Sequence, residues 1–215
     1  MKFVYCSLAV LWIFSSVSAA DEVDLNRQLL IAARSADAKT ISRLLGEGAA
    51  PNSRNRFGDT PLMFAVNAGE IDIVRSLIAS NADVNLANLK KVTPLMAAAF
   101  HGHADIARLL IDNGADPTRK DQIGKTAMVY AAGEGRTEMV KTLLDKGEKA
   151  AARYDNDLTA LMWAAAYGHK ATVRLLLERG ADASAKDNRG KTALMLAQEA
   201  GKTEVVELLG KQSAM

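Results

Sequence analysis

The chain has 215 residues, 49% of them hydrophobic and 24% charged, the composition of a soluble folded protein and not of a disordered or polytopic membrane chain. Its 27 Lys and Arg against 25 Asp and Glu leave a net charge of +2, which gives no general drive toward nucleic-acid phosphates. Four prolines, 5% aromatics and one cysteine argue against an all-β sandwich and exclude an intrachain disulfide framework or Cys-based metal site.

The first twenty residues, MKFVYCSLAVLWIFSSVSAA, carry a short positive start at Lys2, an apolar run from Phe3 to Phe14 and small residues up to Ala20. That is the pattern of a secretory signal peptide. Ser18 and Ala20 fit a cut before Asp21, and Val17 and Ala19 fit one residue earlier. Asp21, Glu22 and Asp24 follow where an uncleaved anchor would carry a Lys/Arg cluster. The expected division is a signal peptide over 1–20 and one domain over 21–215. Cleavage removes Cys6, and a thiol-free product suits an oxidising compartment. The short, compact leader looks bacterial, so the expected destination is the periplasm, with no membrane attachment after cleavage.

The body repeats. Thr60, Thr93, Thr126, Thr159 and Thr192 stand 33 residues apart without an insertion. In phase with them recur a Leu or Met two residues later, an Ala pair, Gly69, Gly102, Gly135, Gly168 and Gly201, a Leu-Leu pair, and Gly-Ala-Asp at Gly114–Asp116 and Gly180–Asp182. A degenerate first copy starts at Arg27. The copies run 27–59, 60–92, 93–125, 126–158, 159–191 and 192–213. Thr60-Pro61 and Thr93-Pro94 read as an N-cap followed by Pro at the first helical position. A second helix follows with Ile106, Leu109 and Leu110, or Val173, Leu175 and Leu176, at helical spacing. Gly114 and Gly180 supply C-cap chemistry. No copy buries its apolar face alone, so the copies must stack.

The period and the TPLM and TALM segments, close to T-P-L-H-x-A, resemble the ankyrin repeat family. The resemblance covers residues 27 to about 213. It implies an all-α solenoid of stacked helix-turn-helix units with short β-turn tips, which binds a protein partner through the tips and the exposed face of the inner helices. By register the candidate contacts are Phe57, Leu89, Lys90, Phe100, His101, Ile123, Glu134, Tyr154, Tyr167 and Arg189. Phe57, Leu89, Phe100, Ile123 and Tyr167 put apolar bulk where a soluble scaffold does not need it.

Other chemistry is weakly supported. Gly124-Lys125-Thr126 and Gly190-Lys191-Thr192 imitate the end of a phosphate loop, but its upstream Gly is replaced by Arg119 and Ala185. His103 and His169 lie two copies apart, too far to share a metal, and His101 with His103 offers only two ligands. Met63, Met96, Met162 and Met195 form a ladder that reads as core filling, although soft sulfur ligands also suit Cu(I). No convergent nucleophile, base and acid is visible. The expectation is a non-catalytic, monomeric protein-binding scaffold with no cofactor and no bound metal. Within it, neutralising a toxin and supporting a stress-defence enzyme fit equally. The rivals are a metal or small-ligand carrier using the Met and His residues, and a secreted host-directed effector.

Overall fold

The computed structural model describes residues 19–212, with side chains from Asp24 onward; of the expected signal peptide over 1–20, residues 1–18 lie outside them. Thr60, Thr93, Thr126, Thr159 and Thr192 are each followed by a short helix whose third backbone N–H donates to the Thr hydroxyl at 3.1–3.4 Å. This side-chain cap satisfies one of the free donors of a helix start. The resulting first helices are α3 Pro61–Ala68, α5 Pro94–His101, α7 Ala127–Gly133, α9 Ala160–Tyr167 and α11 Ala193–Glu199. The degenerate first copy supplies α1, Ala19–Arg34, which starts well before the expected register. Each is followed by a second helix: α2 Ala38–Gly46, α4 Ile71–Ala79, α6 Ala104–Asp112, α8 Thr137–Asp145, α10 Lys170–Glu178 and α12 Thr203–Gln212. Among the described residues there are helices and tips, and no helix is long and apolar enough to cross a membrane.

The helix pairs stack in chain order. Ala65, Ala98, Ala99, Ala131, Ala132, Ala164 and Ala165 are wholly buried, which brings the first helices close together, and Leu77, Leu110, Leu143 and Leu176 fill the space behind them. First helices pack on one another more extensively than second helices do. The stack therefore curves, with the first helices and the tips on its concave side. Met63, Met96 and Met162 are buried in this core, while Met195, on α11 in the last described copy, is 46% exposed.

The turn between the two helices of a copy is locked from the next copy. His169 places its ring over Gly135, and Nε2 lies 2.8 Å from the Gly133 carbonyl oxygen. A Cβ on Gly135 would come within 2.4 Å of that ring, and its φ of +67° is itself glycine territory. Arg136 does the same over Gly102, donating through Nε to the Phe100 carbonyl at 3.1 Å. The recurrent glycine and the residue after it are thus two halves of one contact.

Four of the five tips are organised by an Asn or Asp. Asn55, Asn88, Asp121 and Asp187 each accept, through one side-chain oxygen, the backbone N–H groups two and four residues ahead. Neighbouring tips are joined by backbone bonds from Leu89 to Phe57, Gln122 to Lys90 and Asn188 to Asn156. Tyr154 occupies the organising position in the copy over 126–158 and cannot accept those bonds. That tip collapses into a 3-10 turn over Asp155–Asp157, with Asn156 and Asp157 both at left-handed φ values of 60° and 58°. The corresponding bond from Asp155 to Ile123 is absent among the described residues, and a Lys120–Asp155 ion pair at 2.6 Å joins these tips instead.

Tyr154 is the correction to the expected contact set. Its side chain turns into the stack and packs against the core, and its hydroxyl is buried without a hydrogen-bond partner. Next to it, Glu148 takes the place of the buried Ala82 and Ala115 of other copies. Lys149 replaces Asp83, Asp116 and Asp182, whose carboxylates accept backbone N–H groups at 2.8–2.9 Å. Burial first, and the charge of Asp116 second, raise the Glu148 pKa.

Two outcomes follow from this packing. Leu95, 1% exposed, should cost about 2–5 kcal/mol when replaced by Ala, whereas exposed Lys90→Ala should stay within about 0.5 kcal/mol, both measured by chemical denaturation. Because the folded state holds the Glu148 proton more tightly than the unfolded chain, its favourable contribution is present at low pH and is lost as pH rises past the ordinary value of 4.5. Glu148→Gln should therefore raise the melting temperature at neutral pH, and its advantage over the wild type should shrink below about pH 4.5; an advantage independent of pH would show that the carboxyl is not perturbed.

Candidate functional site

The concave face is built from the tips and from the exposed edge of the first helices. Phe57, Leu89 and Ile123 stand on successive tips, with 57%, 63% and 71% of their surface in water. The backbone bonds between tips hold the first two side by side. Lys90 is exposed between them without an ion pair. Apolar groups so exposed contribute little to the fold of the free chain.

The middle of the face is aromatic, and Asp121 assembles it. Its carboxylate is buried, closes the tip through Oδ1, and accepts the Tyr130 hydroxyl through Oδ2 at 2.6 Å. Burial first, then this hydrogen bond and the Asp121 charge, push the Tyr130 pKa up. The phenol is therefore a fixed donor, and its half-buried ring keeps one orientation at the edge of the core. Lys125, at the end of the same tip, reaches back so that Nζ lies 5.4 Å from the Tyr130 ring centre and 4.8 Å from that of Trp163. Such cation–π contacts hold both rings in place. Phe100 meets Tyr130 edge to face at 6.1 Å, and Tyr167 stacks on Trp163 at 6.1 Å. One continuous strip thus runs Phe100, Tyr130, Trp163, Tyr167 across three copies, with Lys125 clasping its centre.

At the far end of the strip a shallow cavity of about 230 Å³ is bounded by Trp163, Tyr167, Leu158, Met162, Leu196 and Arg189. The Arg189 guanidinium is steadied by buried Asp187 at 2.8 Å. At the near end, His101 packs edge-on against Phe100 at 5.1 Å and parallel to His103 at 5.7 Å. Burial first, and then the charges of His103 and Arg136, lower the His101 pKa, so its imidazole is neutral at pH 7. Glu134 caps α7 on the open face, and its side chain makes no hydrogen bond or ion pair among the described residues.

The structure therefore brings Phe100, His101, Tyr167 and Arg189 into one surface, sets Phe57, Leu89, Lys90 and Ile123 along its tip edge, and leaves Glu134 at its border. Tyr130 and Trp163 were missed by sequence reasoning. Their signal was there: Phe64, Tyr130 and Trp163 occupy the fourth position after the capping Thr of their copies. Read as core spacing it is unremarkable, because the position is half-buried. Among the described residues, no group of three or more His, Cys, Asp or Glu is placed to hold a metal.

A family model described as ankyrin repeats (3 copies) matches residues 29–121, 82–154 and 128–214. No curated protein matches the chain. Among solved structures, one titled "Crystal Structure of EF0377 an Ankyrin Repeat Protein" is similar with a TM-score of 0.78 and 33% identity, over 86% of this chain and 97% of that one. The match to the family model spans nearly all of the described stack, and the helix pairs repeat with the same period. The chain belongs to the ankyrin repeat family.

Proposed function

We propose that this chain is an exported, non-catalytic scaffold that holds a protein partner against its concave face in the periplasm. The observation that carries the reading is the strip Phe100, Tyr130, Trp163, Tyr167 with Lys125 upon it. Aromatic side chains fixed by internal contacts lose little entropy on binding, and they dominate the energetics of protein interfaces. Ankyrin repeats are generally protein-interaction scaffolds, which supports the same reading. Export is supported by the leader-like pattern of residues 1–20. The absence of a cofactor from the proposal follows from the polar groups of the face. Asp121, Asp187 and His169 are each committed to hydrogen bonds that shape the fold.

Affinity capture from periplasmic extract, followed by titration with the captured protein, tests the surface. Tyr167→Ala, at an exposed position, should weaken binding by more than about 1 kcal/mol and leave the melting temperature nearly unchanged. Trp163→Ala should weaken binding at least as much, since it also removes the stacking platform of Tyr167. Full binding by both variants, with a lowered melting temperature, would make these rings packing elements and reject the concave site. N-terminal sequencing of the protein recovered from the periplasm should begin at Asp21 or Ala20; a start at Met1 would reject export with cleavage.

A further inference from the structure

The charged groups of the concave face are not distributed evenly. Toward its C-terminal end three of the cations are neutralised within the fold, Lys120 by Asp155 at 2.6 Å, Arg189 by Asp187 at 2.8 Å and Lys191 by Glu199 at 2.6 Å, and Lys125 is held over the Tyr130 and Trp163 rings. Toward its N-terminal end they are not. Arg27 and Arg34 on α1 are exposed and, among the described residues, make no ion pair or hydrogen bond through their side chains. Arg56 lies over the Phe57 ring at 4.8 Å, and Lys90 and Lys91 on the next tip are exposed without a carboxylate partner. The nearby carboxylates are engaged elsewhere: Asp24 accepts from Gln28 at 2.6 Å, and Asp59 accepts from Asn55 and Asn88.

The same end holds a cavity of about 590 Å³ between α1 and α3. Its floor is apolar, formed by Leu30, Ile31 and Phe64, and Ile31 is 58% exposed. Arg27 and Arg34 stand on its rim. Ser53 also lines it, and its hydroxyl is buried with no hydrogen-bond partner. An apolar floor, an unused buried hydroxyl and a rim of unpaired guanidinium groups ask for one kind of occupant. It must present apolar side chains to the floor and carboxylates to the rim.

Resting on the concave face as the partner surface, we infer that its N-terminal end receives an acidic, apolar segment of a partner protein, with Asp or Glu side chains flanking Leu- or Phe-like anchors. Charge complementarity sets the choice: a partner carboxylate meets Arg27 and Arg34 without displacing an ion pair among the described residues, whereas a basic segment would be repelled there. A nucleic acid would need a track of cations along the backbone, and here five cations alternate with apolar groups on a chain of net charge +2.

Fluorescence anisotropy on the full chain tests it. The probes are a synthetic peptide alternating Glu with Leu and Phe, the same peptide with Lys in place of Glu, and a single-stranded oligothymidylate. The Glu peptide should bind about tenfold or more tightly than the Lys peptide, and its affinity should fall with added salt. The Arg27→Glu/Arg34→Glu double variant should lose about tenfold or more for the Glu peptide, while Lys141→Ala, exposed on the second helix α8 away from the concave face, stays within about twofold. Should the double reversal perturb folding, Arg27→Gln/Arg34→Gln should show the same loss in smaller measure. Equal binding of the two peptides, undiminished binding by both double variants, or oligothymidylate binding as tight as the Glu peptide would each overturn the inference. If the captured partner is still lost on Tyr167→Ala while the two peptides bind alike, the concave face stands and the acidic segment falls.

Discussion

None of the second helices α2, α4, α6, α8 and α10 exceeds nine residues, and α3, α5, α7, α9 and α11 have seven or eight. Isolated helices that short are marginal in water, because too few hydrogen bonds repay nucleation. They persist because each pair buries its apolar side against the next pair. Wholly buried Ala65, Ala98, Ala131 and Ala164 let the first helices approach, while Leu77, Leu110, Leu143 and Leu176 fill the wider gap behind. Small side chains in front and large ones behind produce the curvature, and the curvature produces a concave face. The concave face and the core that folds are consequences of the same distribution of side-chain volume.

Stacking also explains how polar groups are used. A buried polar atom is costly unless it is paired, and the stack pairs its own across copies. His169 and Arg136 reach the carbonyls of the preceding turn, and Asp121 serves a tip and Tyr130 together. These bonds spend the hydrogen-bonding capacity of residues that in isolation look catalytic or metal-binding. What remains uncommitted on the concave face is aromatic in the middle and cationic toward α1. That residue of unspent chemistry is where recognition is most economically placed.

The copy over 126–158 breaks the pattern at several positions at once. Tyr154 removes the tip's acceptor, Glu148 puts a carboxyl where Ala belongs, and Asn156 and Asp157 hold left-handed backbone. Non-glycine residues in that region cost on the order of 1 kcal/mol each. The neighbouring copies over-determine the stack, so a local departure is tolerated without loss of register. The aromatic strip of the concave face continues from this copy into the next on the helix side, through Tyr130 and Trp163, although the tip ladder is interrupted.

The architecture was legible in the sequence because its causes are local and repeated. A capping Thr, a following Pro or Ala, a glycine at the turn and Leu at helical spacing act through neighbours within one copy, and a fixed period multiplies each signal. The tip edge was legible for the same reason: Phe57, Leu89 and Ile123 stand at turn positions that a chain reverses through, so they face outward whatever the neighbours do. Tyr154 was misread as one of these outward positions, although it stands where other tips carry the inward-facing Asn55, Asn88, Asp121 or Asp187, and its ring packs against the core. Tyr130 and Trp163 are half-buried, and period alone assigns such positions to the core. Only the tertiary arrangement reveals that Asp121 holds the Tyr130 ring in one orientation and that Lys125 folds back over both rings, because those contacts join residues from a tip, its own helix and the next copy. Spacing along the chain determines which side of a helix a residue occupies. The distances between copies determine whether that side is covered.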